Sequence, residues 1–178
     1  MEKIFLILIL LIFITSTGNC QTLLTGSVDY NVDSARTEAF QGIKYSLSRN
    51  SLQKYQVDPD YVSNYTAVLR GNTRLDGRTI ATFSDGTYGV RFDDDLFHNY
   101  YYNANGSLFK VDELDKPDNV YPHRSVSYDR TGALMQSALV ISKNESYIYN
   151  LQKKLIAHWV GENCFDENGR IQMTRKFK

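Results

Sequence analysis

A seven-residue pattern recurs in the second half of this chain and restricts that half to antiparallel hairpins. Tyr102-Asn103-Ala104-Asn105-Gly106-Ser107-Leu108, Tyr128-Asp129-Arg130-Thr131-Gly132-Ala133-Leu134 and Phe165-Asp166-Glu167-Asn168-Gly169-Arg170-Ile171 share it: aromatic, Asn or Asp, two free residues, Gly, one free residue, Leu or Ile. The aromatic ends one strand and the Asn/Asp side chain caps a tight turn. Gly then takes the left-handed position, and Leu/Ile begins the returning strand. Gly106, Gly132 and Gly169 are therefore expected at positive φ. Tyr149-Asn150-Leu151-Gln152-Lys153-Lys154-Leu155 is a degenerate fourth copy with Lys153 in the Gly place. A side chain there costs on the order of 1 kcal/mol, which predicts a differently built fourth turn.

Upstream, Asp76-Gly77 and Asp85-Gly86 are further hairpin dipeptides, since their residues tolerate positive φ. A two-residue loop at Asp85-Gly86 sets Phe83 opposite Tyr88, Ala81 opposite Val90 and Thr79 opposite Phe92, all on one face. Val28, Tyr30 and Val32 alternate with Asp29, Asn31 and Asp33, which is the period of a strand. Ala35, Ala39, Phe40, Ile43 and Leu47 recur at helical spacing. They predict one amphipathic helix at about 34–48, with Asp33 or Ser34 as N-cap. Residues 49–64 are polar and carry the turn signal Asp58-Pro59-Asp60. The 13 Tyr and 9 Phe suit the half-buried surface of a sheet. The expected fold is mainly β: antiparallel hairpins stacked as a meander or repeat-like sheet, with one N-terminal amphipathic helix.

Residues from about 97 to 178 resemble the tyrosine-aspartate and MORN-variant repeats of bacterial envelope and toxin-system proteins, in which "YDxxGxL" hairpins stack into a single-layer or wound sheet. Tyr128–Leu134 and Phe165–Ile171 match best, and Trp159-Val160-Gly161 is similar to the Trp/Gly strand start of such arrays. The resemblance implies architecture, because a hairpin repeat cannot bury a face alone and its neighbours must stack. It carries over no catalytic residue.

Met1–Gln21 has the charged–apolar–small grammar of a secretory signal. Lys3 precedes eleven unbroken apolar residues, Ile4 to Ile14, too few to span a bilayer as a helix, and Thr15-Ser16-Thr17-Gly18-Asn19 follow. Residues 1–20 are expected to be a signal peptide and residues 21–178 a single β-rich domain. Cys20 is a candidate lipidation site, because an apolar run, small residues and a Cys resemble a lipobox. Asn19 departs from the Gly, Ala or Ser that motif prefers, and cleavage after Gly18 or Cys20 to give a soluble form is the alternative. The chain is thus expected to be exported, as a periplasmic or outer-membrane lipoprotein or as a secreted protein. Cys164, the only other cysteine, either pairs with a retained Cys20 or is buried and free. Twenty basic residues balance twenty acidic ones, which argues against nucleic acid as a partner. The tail Arg170, Arg175, Lys176, Lys178 reads as a solvated end.

Catalytic grammar is sparse. Asp29-x-Asn31-x-Asp33 begins like a calcium loop, but Ser34 replaces the Gly and Phe40 the Glu that such a loop requires. His98, His123 and His158 lack metal-ligand spacing, and no Gly-x-Ser-x-Gly elbow occurs. His158 and Cys164 lack the motif of a thiol nucleophile. No catalytic, cofactor-binding or metal-ligating residue is assigned and no cofactor is expected. Asn64, Asn105 and Asn144 head glycosylation sequons that matter only in a eukaryotic host.

Two functional readings follow. One is an exported non-enzymatic protein that binds a protein or glycan partner at the cell envelope through a β-hairpin surface. Its contact residue is Tyr100 or Tyr101, whichever faces outward, since Tyr offers apolar area with a polar tip. The other is an envelope hydrolase using Asp93, Asp94 and Asp95 with His98. It requires those carboxylates to converge with His123 or His158 in a deep pocket.

Overall fold

The computed structural model describes residues 30–63, 65, 69 and 71–175. The signal segment, Cys20, Val28, Lys176 and Lys178 lie outside the described residues. The chain forms β1 (Asn72–Leu75), β2 (Arg78–Thr82), β3 (Tyr88–Phe92), β4 (His98–Tyr102), β5 (Leu108–Leu114) and β6 (His123–Asp129). There follow β7 (Leu134–Ser142), β8 (Glu145–Asn150), β9 (Leu155–Val160), β10 (Asn163–Phe165) and β11 (Ile171–Thr174). These eleven strands make one antiparallel sheet in sequence order, so the fold is mainly β and a hairpin meander.

Every second connection is built the same way. In the turns Phe83–Thr87, Asn103–Ser107, Asp129–Ala133, Asn150–Lys154 and Asp166–Arg170, the first N–H donates to the fifth carbonyl at 2.9–3.0 Å. The fourth N–H donates back to the first carbonyl at 2.9–3.2 Å. The fourth residue lies at positive φ each time: Gly86 at 89°, Gly106 at 77°, Gly132 at 84°, Lys153 at 59° and Gly169 at 73°. The three expected glycines are where the pattern placed them. The expectation of a different fourth turn is corrected. Lys153 adopts the left-handed conformation because Asn150 Oδ1 accepts the N–H groups of Gln152 and Lys154, both at 3.0 Å, and holds the turn.

The Asp85-Gly86 hairpin also departs from expectation. Its loop belongs to this longer construction, so Ile80 pairs with Val90, Ala81 with Gly89 and Thr82 with Tyr88. A one-residue slip exchanges the faces of a strand. Ile80 is accordingly buried in place of Thr79 and Ala81, while Tyr88, Val90 and Phe92 occupy the buried face as expected. Asp76-Gly77 is the expected two-residue loop, with Leu75 paired to Arg78.

Residues 32–63 cross one face of this sheet as a strap. Its helix α1 spans only Val32–Ala39, and α2 (Arg49–Leu52) runs into a 3₁₀ turn at Gln53–Tyr55. Val32 and Asp33 open α1 and do not belong to a strand, because Ala35 and Ala39, one helical turn apart, are both fully buried. Gly42 at φ 65° ends the helical path well before the expected residue 48. Ile43 and Leu47 still reach the core, packed on Val126, Tyr128 and Leu134, but from extended chain. A second cluster joins Leu52, Tyr55 and Tyr65 to Ile80, Tyr88, Val90, Tyr100, Tyr102, Leu108 and Val111.

Candidate binding groove on the open sheet face

The strap covers one face of β2–β4 and leaves the other open. Tyr100 and Tyr102 point to the strap, with exposures of 2% and 0%. Alternation therefore sends Tyr101 to the open face, where it is half-buried. Of the two candidate tyrosines only Tyr101 meets the open side. Tyr100 is a core residue, stacked on Tyr55 with centroids 4.0 Å apart and donating its hydroxyl to Asp95 Oδ2 at 2.8 Å. Burial, then the Asp95 carboxylate, raise the Tyr100 hydroxyl far above its ordinary pKa.

Around Tyr101 the open face is scooped into a groove of about 280 Å³. Its floor is small because register brings Ala81 opposite Gly89. Tyr101 pairs with Gly89 and lies over it: a β-carbon on that glycine would be 3.3 Å from Tyr101 Cε1. Phe83 stacks beside Tyr101, with centroids 6.5 Å apart and planes at 23°. Lys110 Nζ sits 4.0 Å from the Tyr101 ring centroid. At the other end Arg91 Nε donates to Asn99 Oδ1 at 2.9 Å, and Arg91 is paired with Asp118 at 2.7 Å. The groove thus offers an aromatic surface beside planar polar groups whose positions are already held. A smaller cavity of about 180 Å³ beside Lys44 has its charged groups matched to one another, Lys44 to Glu113 and Arg124 to Asp115.

No protein-family model, curated protein or solved structure matches this chain.

The acidic run is dispersed. Asp93 is exposed and makes a bidentate pair with Arg74, and Asp94 is exposed. Asp95 accepts from Tyr100 and is 2.8 Å from His98 Nδ1. Burial works to raise the Asp95 carboxyl, but His98 and Tyr100 outweigh it and hold it below its ordinary pKa. His123 Nδ1 lies 2.9 Å from the carbonyl of Val120, and His158 stacks on Tyr147 while its Nε2 lies 3.1 Å from Glu145. The three histidines are thus on different strands with different partners, and no metal-ligand group forms among the described residues. Asp95 can orient the His98 ring and so select its tautomer. Cys164 is buried and free.

Sequence reasoning missed a buried pair, Asp58 with Arg78. Asp58 lies near the end of the strap, in the expected Asp58-Pro59-Asp60 turn, yet its side chain is buried. It accepts from Arg78 and from the Tyr88 hydroxyl, both at 2.9 Å. Two charges flanked by turn-formers give no local sign of burial. The groove floor was equally hidden, because it depends on the register of β2 against β3.

Proposed function

We propose that this chain is an exported, non-enzymatic protein of the cell envelope or extracellular space that binds a glycan or protein partner through its open sheet face. Tyr101 and Phe83 supply the contact area. The observation that carries the reading is the groove itself: stacked aromatic rings over a small-residue floor, beside Arg91 and Asn99. Aromatic faces with fixed planar donors suit the apolar faces and hydroxyls of a sugar ring. Export is supported by the signal grammar of Met1–Gln21. Kinship with tyrosine-aspartate and MORN-variant hairpin proteins belongs to the same proposal, supported by five turns of one construction.

The test is binding of folded variants to immobilised glycans and to envelope proteins, alongside complementation of a deletion strain. Tyr101→Ala is expected to weaken binding and function about fivefold or more, the scale of a residue worth above about 1 kcal/mol at an interface. Asp93→Asn, Asp94→Asn and His98→Ala are expected to leave function unchanged. Loss of function in those three with melting temperature intact overturns the binding reading and favours the hydrolase. N-terminal mass spectrometry tests export, with a mature start at or near Asn19–Gln21 expected.

A further inference from the structure

We infer that the cavity between α2 and the Asp129–Ala133 turn binds a phosphate-bearing ligand. It lies where the strap meets the hairpin turns and is independent of the Tyr101 groove. The helical stretch from Arg49 to Tyr55 is two-faced. Leu52 and Tyr55 are buried in the core, with exposures of 2% and 7%. Arg49, Gln53 and Gln56, spaced four and three residues apart, fall on another side together with Asn50. With Arg130 and Thr131 from the facing turn they line an open cavity of about 330 Å³.

Among the described residues no carboxylate lines that cavity. Arg36, Arg74, Arg78, Arg91 and Arg124 each form an ion pair with an aspartate. Among the described residues no such pair is formed by Arg49 or Arg130, the two arginines that share a cavity. A guanidinium presents five donors and no acceptor, and its planar fork matches the oxygens of phosphate. Two of them beside the amides of Asn50, Gln53 and Gln56 make a donor-rich, doubly cationic concavity. Asp129, next to Arg130 in sequence, turns its Oδ1 inward to the N–H groups of Thr131 and Ala133 and to the Thr131 hydroxyl.

The two walls are tied together. Gln56 Nε2 donates to the Arg130 carbonyl at 2.8 Å, and Leu47 N–H donates to the Gly132 carbonyl at 2.8 Å. The site therefore exists before the ligand arrives, which lowers the cost of binding.

A free phosphate ester and a phospholipid headgroup present the same chemistry, so the test has two arms on the signal-free chain. In the first, inorganic phosphate is titrated while the side-chain amide signals of Asn50, Gln53 and Gln56 are followed by NMR. In the second, sedimentation is measured with vesicles of phosphatidylcholine, with and without phosphatidic acid. Saturable shifts at those three amides are expected. Arg49→Gln and Arg130→Gln should each weaken the response about tenfold, and Arg170→Gln, on another turn, should not. Sedimentation only with phosphatidic acid, lost in the same two variants, assigns the headgroup; saturation by phosphate without sedimentation assigns a soluble ester. Thermal melts confirm that the variants are folded. The inference is overturned if neither probe acts, or if the two variants respond like the parent.

Discussion

At the residue scale, what distinguishes the recurring turns is how much room surrounds the left-handed position. At Gly132 an added β-carbon would meet the Leu47 carbonyl oxygen at 2.6 Å, whereas at Gly169 no atom of the described residues would lie within 4 Å of it. Gly169→Ala therefore meets only the backbone cost of positive φ, about 1 kcal/mol. Gly132→Ala must also push the strap off the turn and is expected to cost more than about 2 kcal/mol. Urea unfolding decides, and equal losses would show that the strap does not press on Gly132. Lys153→Gly should stabilise, by somewhat less than about 1 kcal/mol. Relief of positive φ is partly offset by losing the Lys153 ammonium from 5.4 Å above the Phe40 ring. The turn caps also set an acid response. Asp166 is held below its ordinary pKa first by the Arg170 N–H; at Asp129 burial pushes upward, but the Thr131 and Ala133 donors win and lower it. A depressed folded pKa contributes stability above the unfolded value, about 3.9, and loses it as pH falls through the folded one. Stability should thus drop on acidification below about pH 4, and the double change Asp129→Asn, Asp166→Asn should flatten that limb. Asn150 already performs the same cap. An unchanged acid slope in the double variant would remove the caps from the account.

At the element scale, the strap and the turns satisfy each other's backbone groups in one repeated way. Leu47 N–H donates to the Gly132 carbonyl and Leu134 N–H to the Tyr45 carbonyl; Asp58 N–H donates to Gly106 and Leu108 N–H to Gln56. Tyrosines of the repeat add side-chain anchors. Tyr128 donates to the Lys44 carbonyl at 2.9 Å and Tyr149 to that of Val32 at 2.7 Å, while the buried Tyr102 hydroxyl has no partner among the described residues. Tyr149→Phe should then cost about 1 kcal/mol, and Tyr102→Phe should be neutral or stabilising. The two melting temperatures give the comparison, and a destabilised Tyr102→Phe would reveal a bond to that hydroxyl. The aromatic, the cap and the glycine were legible in the sequence because turn chemistry is local. The register at Phe83–Thr87 was not, since Asp-Gly serves both a two-residue loop and the longer bulged turn. Nor was the strap: Ile43 and Leu47 repeat with helical spacing, but Gly42 and the exposed edge of the turns select extended chain. The Tyr101 groove could be half anticipated, from a tyrosine run on an alternating strand. Which ring faced out depended on what covered the other side.

At the scale of the whole sheet, local and distant contacts are cleanly divided. Each strand pairs with its sequence neighbour, whereas the strap bonds reach from Val32 to Tyr149 and from Ala39 to Ser137. The strap covers rows of side chains, Tyr88, Tyr102, Tyr128 and Tyr149, that are essentially sealed from water. The far end is different. All four residues of β11 are exposed, Ile171 and Met173 at 58% and 57%, and β10 buries only Cys164. A sheet of nearest-neighbour hairpins behaves as a row of coupled units, so an uncovered end unit can be removed without uncoupling the rest. Deleting residues 162–178 is expected to leave a cooperative urea transition, with a denaturant slope lower by roughly a tenth and a loss of about 2–3 kcal/mol. Deleting residues 32–63 strips the cover from the aromatic rows and should abolish the transition and give a chain that binds hydrophobic dye. Trp159 on β9 is retained in both deletions and reports unfolding by fluorescence. A strap-deleted chain that still unfolds cooperatively, or an end-deleted chain that does not, would show that the cover is not what stabilises the sheet.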